Sequence, residues 1–119
     1  MYPPPSEEII RRLMDSDLDA VNFFRYVIHL RFENGNQLSI ETPFRFDTRQ
    51  NLSNSPANGF LLSESKLMRV LGSSINQFKC DTDGTLELQF TNGDALIIYA
   101  NDPAFEAYTL SIDGKEYVV

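Results

Sequence analysis

The chain has no tryptophan, one cysteine and one histidine among its 119 residues. A lone cysteine, Cys80, excludes an intramolecular disulfide framework. It points to a reducing compartment, the cytoplasm, with Cys80 serving as a small buried apolar residue. With one His and one Cys, a zinc site is not expected. Catalysis near neutral pH most often recruits these same two residue types. His29 falls on the polar face of a strand, and no serine lies in a G-x-S-x-G elbow. No catalytic residue, cofactor or metal is therefore expected, and the chain reads as a non-enzyme. No apolar run approaches the roughly 18 residues of a membrane span. The start, MYPPPSEEII, lacks a basic region followed by an apolar stretch, so a secretion signal is not expected.

Positive charge is also scarce. Ten basic residues face 17 acidic ones, a formal net charge of −7 with a sequence pI near 4.5. That balance excludes general nucleic-acid binding, which needs basic surface. The deficit is uneven, because residues 76–119 hold two basic and eight acidic groups, net −6.

What is present suits a small globular domain. Hydrophobic residues make up 42% of the chain and include nine Phe, enough for one core. After Pro3, Pro4 and Pro5, Ser6 reads as an N-cap with Glu7 and Glu8 in the first turn. Ile9, Ile10, Leu13 and Met14 follow at helical spacing. The reading is one or two short helices in 6–22, restarting through Leu18 and Val21.

From Phe24 the period is two. Phe24, Tyr26, Ile28, Leu30 and Phe32 alternate with polar residues and predict one strand with one buried face. His29 lies on its polar face between Arg25 and Arg31. An Asn-Gly pair ordinarily marks a two-residue turn. Here a turn of only Asn34-Gly35 would send Leu38 and Ile40 to the wrong face. A three-residue loop 33–35, with Gly35 in a left-handed bulge, pairs Leu30 with Leu38 and Ile28 with Ile40. Pro43 then breaks the strand, which places Phe44 and Phe46 past a bend or on an edge.

The pattern recurs 58 positions later. A loop 91–93 around Asn92-Gly93 pairs Leu88 with Leu96 and Leu86 with Ile98. Either an internal duplication or two hairpins obeying the same physics would produce this match. Between them, 47–60 reads as a polar loop, and Ser65 as the cap of a short helix carrying Leu67, Met68 and Leu71 and ending at Gly72. Ile75, Phe78 and Cys80 predict a strand. A loop 82–84 pairs Cys80 with Leu86. Alternating oxygens from Asp81 to Glu87 fit that turn better than a calcium loop, because Gly84 directly follows Asp83. Asn101-Asp102-Pro103 is a further turn, and Phe105 to Ile112 a strand. Asp113-Gly114 fits a two-residue turn that pairs Leu110 with Tyr117.

The fold class that follows is mainly β (α+β). Six or seven strands in antiparallel hairpins form a small sandwich or half-open barrel, with short N-terminal and central helices. Residues 1–23 read as a Pro-rich start and short helix, and 24–119 as a single β domain. Asp102, Glu106 and Tyr108 are the candidate contact residues. Glu106 and Tyr108 share a strand face beside the turn that holds Asp102, and an acid beside a half-buried aromatic can meet a cationic or polar partner.

Residues 24–119 resemble a family of short, uncharacterised bacterial proteins known only as a domain of unknown function. Three segments carry the resemblance: LRFENGNQLSIETPFRF, the L-x-x-L-G segment with Ile75, and DGTLELQFTNGDALIIYANDPAFEAYTL. The most specific element is Phe105-Glu106-Ala107-Tyr108. Family members often carry Tyr first and Trp last, so this chain departs at both aromatics. The resemblance implies a grouping by fold and no activity. By analogy, such proteins are similar in type to immunity or accessory proteins of bacterial competition loci.

The composition and the resemblance together lead to an interaction protein whose partner presents a basic surface, steered by the acidic C-terminal third. Two alternatives stand beside it. One is a small-molecule-binding sheet or barrel, with or without weak activity from Glu106 or Asp102. The other is a homodimer pairing exposed strand edges.

Overall fold

The computed structural model describes residues 5–42, 44–47, 67–100 and 106–119. Among them are nine strands in two antiparallel sheets and one short α-helix. The strands are β1 (Leu18–Phe23), β2 (Ile28–Phe32), β3 (Gln37–Ile40), β4 (Phe44–Asp47), β5 (Ile75–Cys80), β6 (Leu86–Phe90), β7 (Ala95–Ile98), β8 (Tyr108–Ile112) and β9 (Lys115–Val118). One sheet runs β1-β2-β3-β8-β9 and the other β4-β7-β6-β5. Neither closes into a barrel. Their apolar faces, with Leu30 and Leu38 from one sheet and Leu88 and Leu96 from the other, join one core cluster, a sandwich-like arrangement.

Helix α1 (Glu7–Arg11) begins as its cap predicts, with the Ser6 hydroxyl accepting from the Ile9 N–H at 3.4 Å. It tightens into a 3-10 turn at Arg12–Asp15 and stops there. The expected restart through Leu18 and Val21 is wrong, because Leu18–Phe23 is a strand. The reason lies in its pairing. Leu18 faces Phe32, Val21 faces Leu30 and Phe23 faces Ile28, with a register shift after Leu18. That bulge adds one residue, so two inward positions fall three apart and imitate a helical spacing.

The predicted strand from Phe24 is shorter than expected. The chain reverses at 24–27, where the Phe24 N–H donates to the Val27 carbonyl at 2.9 Å, and the strand begins at Ile28. Part of the segment read as the start packs with the β strands. β1 is part of the first sheet, and Ile10 and Leu13 are fully buried in the shared core.

The three-residue loops form as read. Leu30 pairs with Leu38, Leu88 with Leu96 and Cys80 with Leu86. Gly35, Gly84 and Gly93 close them at φ of 90°, 95° and 93°, which a side chain disfavours. In each loop the residue before glycine turns its side-chain oxygen onto a backbone N–H two residues on: Asn34 to Asn36, Asp83 to Thr85 and Asn92 to Asp94. Asp113-Gly114 makes the two-residue turn, with Leu110 facing Tyr117. β4 is an edge strand, as Pro43 implied. The start of the expected central helix, at Ser65, lies outside the described residues, which resume at a helical Leu67. Met68–Val70 is a single 3-10 turn, followed by Gly72 at φ 81°. The Pro-rich start, the 48–60 loop, Ser65 and the 101–105 turn lie outside the described residues.

The two hairpins belong to a larger repeat. Ile10 and Leu67, Leu13 and Val70, and Leu18 and Ile75 are buried pairs 57 positions apart. Ile28 and Leu86, Phe32 and Phe90, and Ile40 and Ile98 are buried pairs 58 apart. β5 carries a register shift after Ile75, as β1 does after Leu18. Glu33 N–H donates to Asp17 O, and Thr91 N–H to Ser74 O, at equivalent places. The strand after each hairpin then crosses over. β4 joins β7 in the second sheet, and β8 joins β3 in the first. Matching bulges and reciprocal strand exchange extend well beyond what hairpin chemistry requires, so the chain is built from two structural repeats plus β9.

Candidate functional site

The β1–β2 and β5–β6 loops of the two repeats lie at the same end of the molecule. In the first sheet, Phe23, Ile28, Ile40 and Tyr108 form the terminal row across β1, β2, β3 and β8. The Tyr108 hydroxyl crosses to the second sheet and donates to the Gly84 carbonyl at 2.7 Å, inside loop 82–84. Loop 24–27, loop 82–84, Glu41, Glu106 and Val119 therefore share one end. Backbone bonds tie it together. Glu41 N–H donates to Ala107 O, and Ala107 N–H to Val119 O. The Thr42 hydroxyl donates to Tyr99 O at 3.0 Å.

The exposed apolar surface of this end is concentrated in loop 24–27 and the residue before it. Phe23 is 38% exposed, Phe24 53% and Tyr26 69%. The Phe24 ring meets the His29 ring at 5.0 Å between centroids, and the Arg25 guanidinium lies 5.1 Å over the Tyr26 ring. The chain places three such groups, Phe24, Arg25 and Tyr26, on a turn that carries no Gly, Pro or Asn. That absence hid the turn. Alternation continues straight through it, so Phe24 and Tyr26 were expected inside and Arg25 on a strand. Only the pairing of Val21 and Phe23 with β2 shows that both aromatics leave the sheet.

Of the three residues expected to make contacts, Asp102 lies outside the described residues. Glu106 is exposed, immediately before β8. Tyr108, expected half-buried on a shared face, is fully buried. Its ring presents nothing to a partner and instead bolts the two sheets together. Burial pushes its phenol well above the ordinary 10.0, with the nearby Cys80 thiol adding to the effect. Cys80 is half-buried, with its Sγ 4.0 Å from the Tyr108 hydroxyl. Burial raises its thiol too, against the opposing hydrogen bond from Tyr108. Both groups are held neutral, which leaves little thiolate for attack.

Tyr108→Phe is expected to cost about 1–3 kcal/mol, because the Gly84 carbonyl loses its buried donor. The same phenol gives a pH signature. Its proton is bound more tightly folded than unfolded, so its stabilisation is complete below about pH 10 and is lost as pH rises further. Denaturant unfolding across the alkaline range should show stability falling there, with a shallower fall in the Phe variant. Equal alkaline slopes would refute the assignment.

The acidic excess of residues 76–119 is not one open surface. Asp94 is fully buried, and its carboxylate accepts from Arg69 Nε at 3.2 Å and from Asn92 Nδ2 at 2.9 Å. Asp113 meets Arg12 at 2.6 Å. Asp81 lies 3.9 Å from Lys79 on the same loop stem. Arg12, Arg69 and Lys79 thus offset part of the C-terminal acid. The aromatic end carries Glu41, Asp81, Asp83 and Glu106. A separate open groove, about 270 Å³, lies away from Tyr108 between α1 and β5 and is lined by Glu7, Arg11, Met14, Asn76, Gln77 and Phe78.

The fold is that of a small two-sheet antiparallel β protein. The chain belongs to a family of unknown function, DUF6188, whose model matches residues 9–119. The match begins within α1 and takes in β1, the part that the resemblance read from the sequence left out. No curated protein matches the chain, and no solved structure does.

Proposed function

We propose that this protein is a non-enzymatic protein-interaction module that docks through its aromatic end. The observation that carries the reading is Phe24, Arg25 and Tyr26 standing exposed on a hairpin loop. Large aromatics and Arg are the residue types that dominate interface energetics, and a soluble chain rarely exposes them together without use. At the same end Glu41, Asp81, Asp83 and Glu106 supply acidic groups suited to a basic surface on the partner. The sharpest form of the reading is immunity-like: the end covers a basic surface of another protein. The half-buried free thiol of Cys80 supports a cytoplasmic setting.

The test needs a purified partner and its Kd. Tyr26→Ala should weaken binding by at least tenfold, about 1.4 kcal/mol, with an unchanged melting temperature. Glu106→Gln should slow association and flatten its salt dependence. A partner bound equally well by both variants defeats the proposal.

A further inference from the structure

We infer that the aromatic end also binds a second copy of this chain, as a two-fold dimer in which loop 24–27 of each copy meets loop 81–84 of the other. This deepens the proposed function and rests on the same surface. The argument starts from the repeat. Residues 23–27 and 80–84 occupy equivalent hairpin ends, after β1 and after β5. Their backbones serve the same purpose, but their side chains have diverged in opposite directions. The first loop reads Phe24-Arg25-Tyr26-Val27, aromatic and cationic. The second reads Asp81-Thr82-Asp83-Gly84, small and anionic.

Two unlike surfaces at one end are self-complementary under a two-fold axis. Arg25 of one copy then faces Asp81 and Asp83 of the other, and each contact occurs twice. Phe24 and Tyr26 supply the apolar part, which would otherwise remain in water. The sheet edges β1 and β9 need not pair for this contact. Arg25 of the second copy takes the place of the basic group that another partner would bring, so self-association and partner binding compete for one end.

Light scattering and sedimentation of the full chain, over roughly 1 μM to 1 mM, read the result. The wild type should show a concentration-dependent dimer that weakens with salt. Arg25→Glu and Asp81→Lys should each weaken the dimer at least tenfold when alone. Mixed together, these two variants should associate again, because both contacts of the mixed pair carry opposite charges. Asp83 is left in place because its side chain closes its own turn on Thr85. Phe24→Ser with Tyr26→Ser should be folded and monomeric. A wild type that stays monomeric throughout overturns the inference, and so does a mixture that fails to associate. If the wild type is monomeric while Tyr26→Ala still loses another partner, the inference falls and the proposed function stands. If neither association responds to the loop, both fall.

Discussion

Phe90→Ala is expected to destabilise the protein by about 3–5 kcal/mol, and Phe32→Ala by the same amount. Both rings are 1% exposed and sit at equivalent hairpin positions of the two repeats. Each closes its loop by donating its N–H and accepting through its carbonyl. Phe32 bonds Asn36 O and Gly35 N–H, and Phe90 bonds Asp94 O and Gly93 N–H. Truncation leaves those backbone bonds and removes the ring, so the loss is that of packing plus a cavity. Against a total stability of roughly 5–15 kcal/mol, either change approaches the limit of folding. Phe→Leu at each position is the milder pair that keeps the comparison measurable by urea unfolding. Losses that differ by more than about 2 kcal/mol between the repeats would mean that their cores are not equivalent, contrary to the symmetry of register and burial.

Gly84→Ala should cost about 2–4 kcal/mol, while Gly35→Ala should cost about 1 kcal/mol. The two glycines have nearly the same backbone, φ +95° and +90°. Any side chain at either position meets the same left-handed strain. Their surroundings differ. A Cβ at Gly84 would lie 2.8 Å from Val119 Cγ1 and 3.4 Å from Ala100 Cβ, whereas nothing lies within 4 Å at Gly35. Val119 is 4% exposed and pinned by backbone bonds to Ala107 and Tyr108, so it cannot swing away. The substitution must also disturb the carbonyl that receives the Tyr108 hydroxyl. Thermal melts of the two variants test this. Equal losses would show that conformational strain alone governs both sites.

The division between what was legible in the sequence and what was not follows the range of the interactions. Loops 33–35, 82–84 and 91–93 were readable because their determinants are local: a glycine at positive φ, an Asn or Asp that bonds two residues on, and an apolar period that allows one register. β1 was not readable as a strand, although β5 was. Leu18, Val21 and Phe23 have the same spacing as Ile75, Phe78 and Cys80. In β5 the spacing follows no helix and reads as extended; in β1 it follows one and merges with the helical period. Much the same holds for the candidate site. Glu106 is exposed ahead of β8 rather than on a strand face, and Tyr108 can be assigned inside or outside only by knowing what lies opposite it.

By itself, the sequence determined the β class, the four tight hairpin turns, the pairing of Leu30 with Leu38 and of Leu88 with Leu96, and the absence of a disulfide framework. Each depends on residues within a few positions of one another, or on a count. The tertiary structure alone decided that β1 is a strand, that β4 and β8 exchange sheets between repeats, and that Tyr108 joins the two sheets through Gly84. It also decided that Phe24 and Tyr26 face solvent at the end that carries loop 82–84. These outcomes depend on pairing free energies between segments far apart in the chain, and a bulge or a turn without glycine leaves the local pattern unchanged while moving every side chain beyond it.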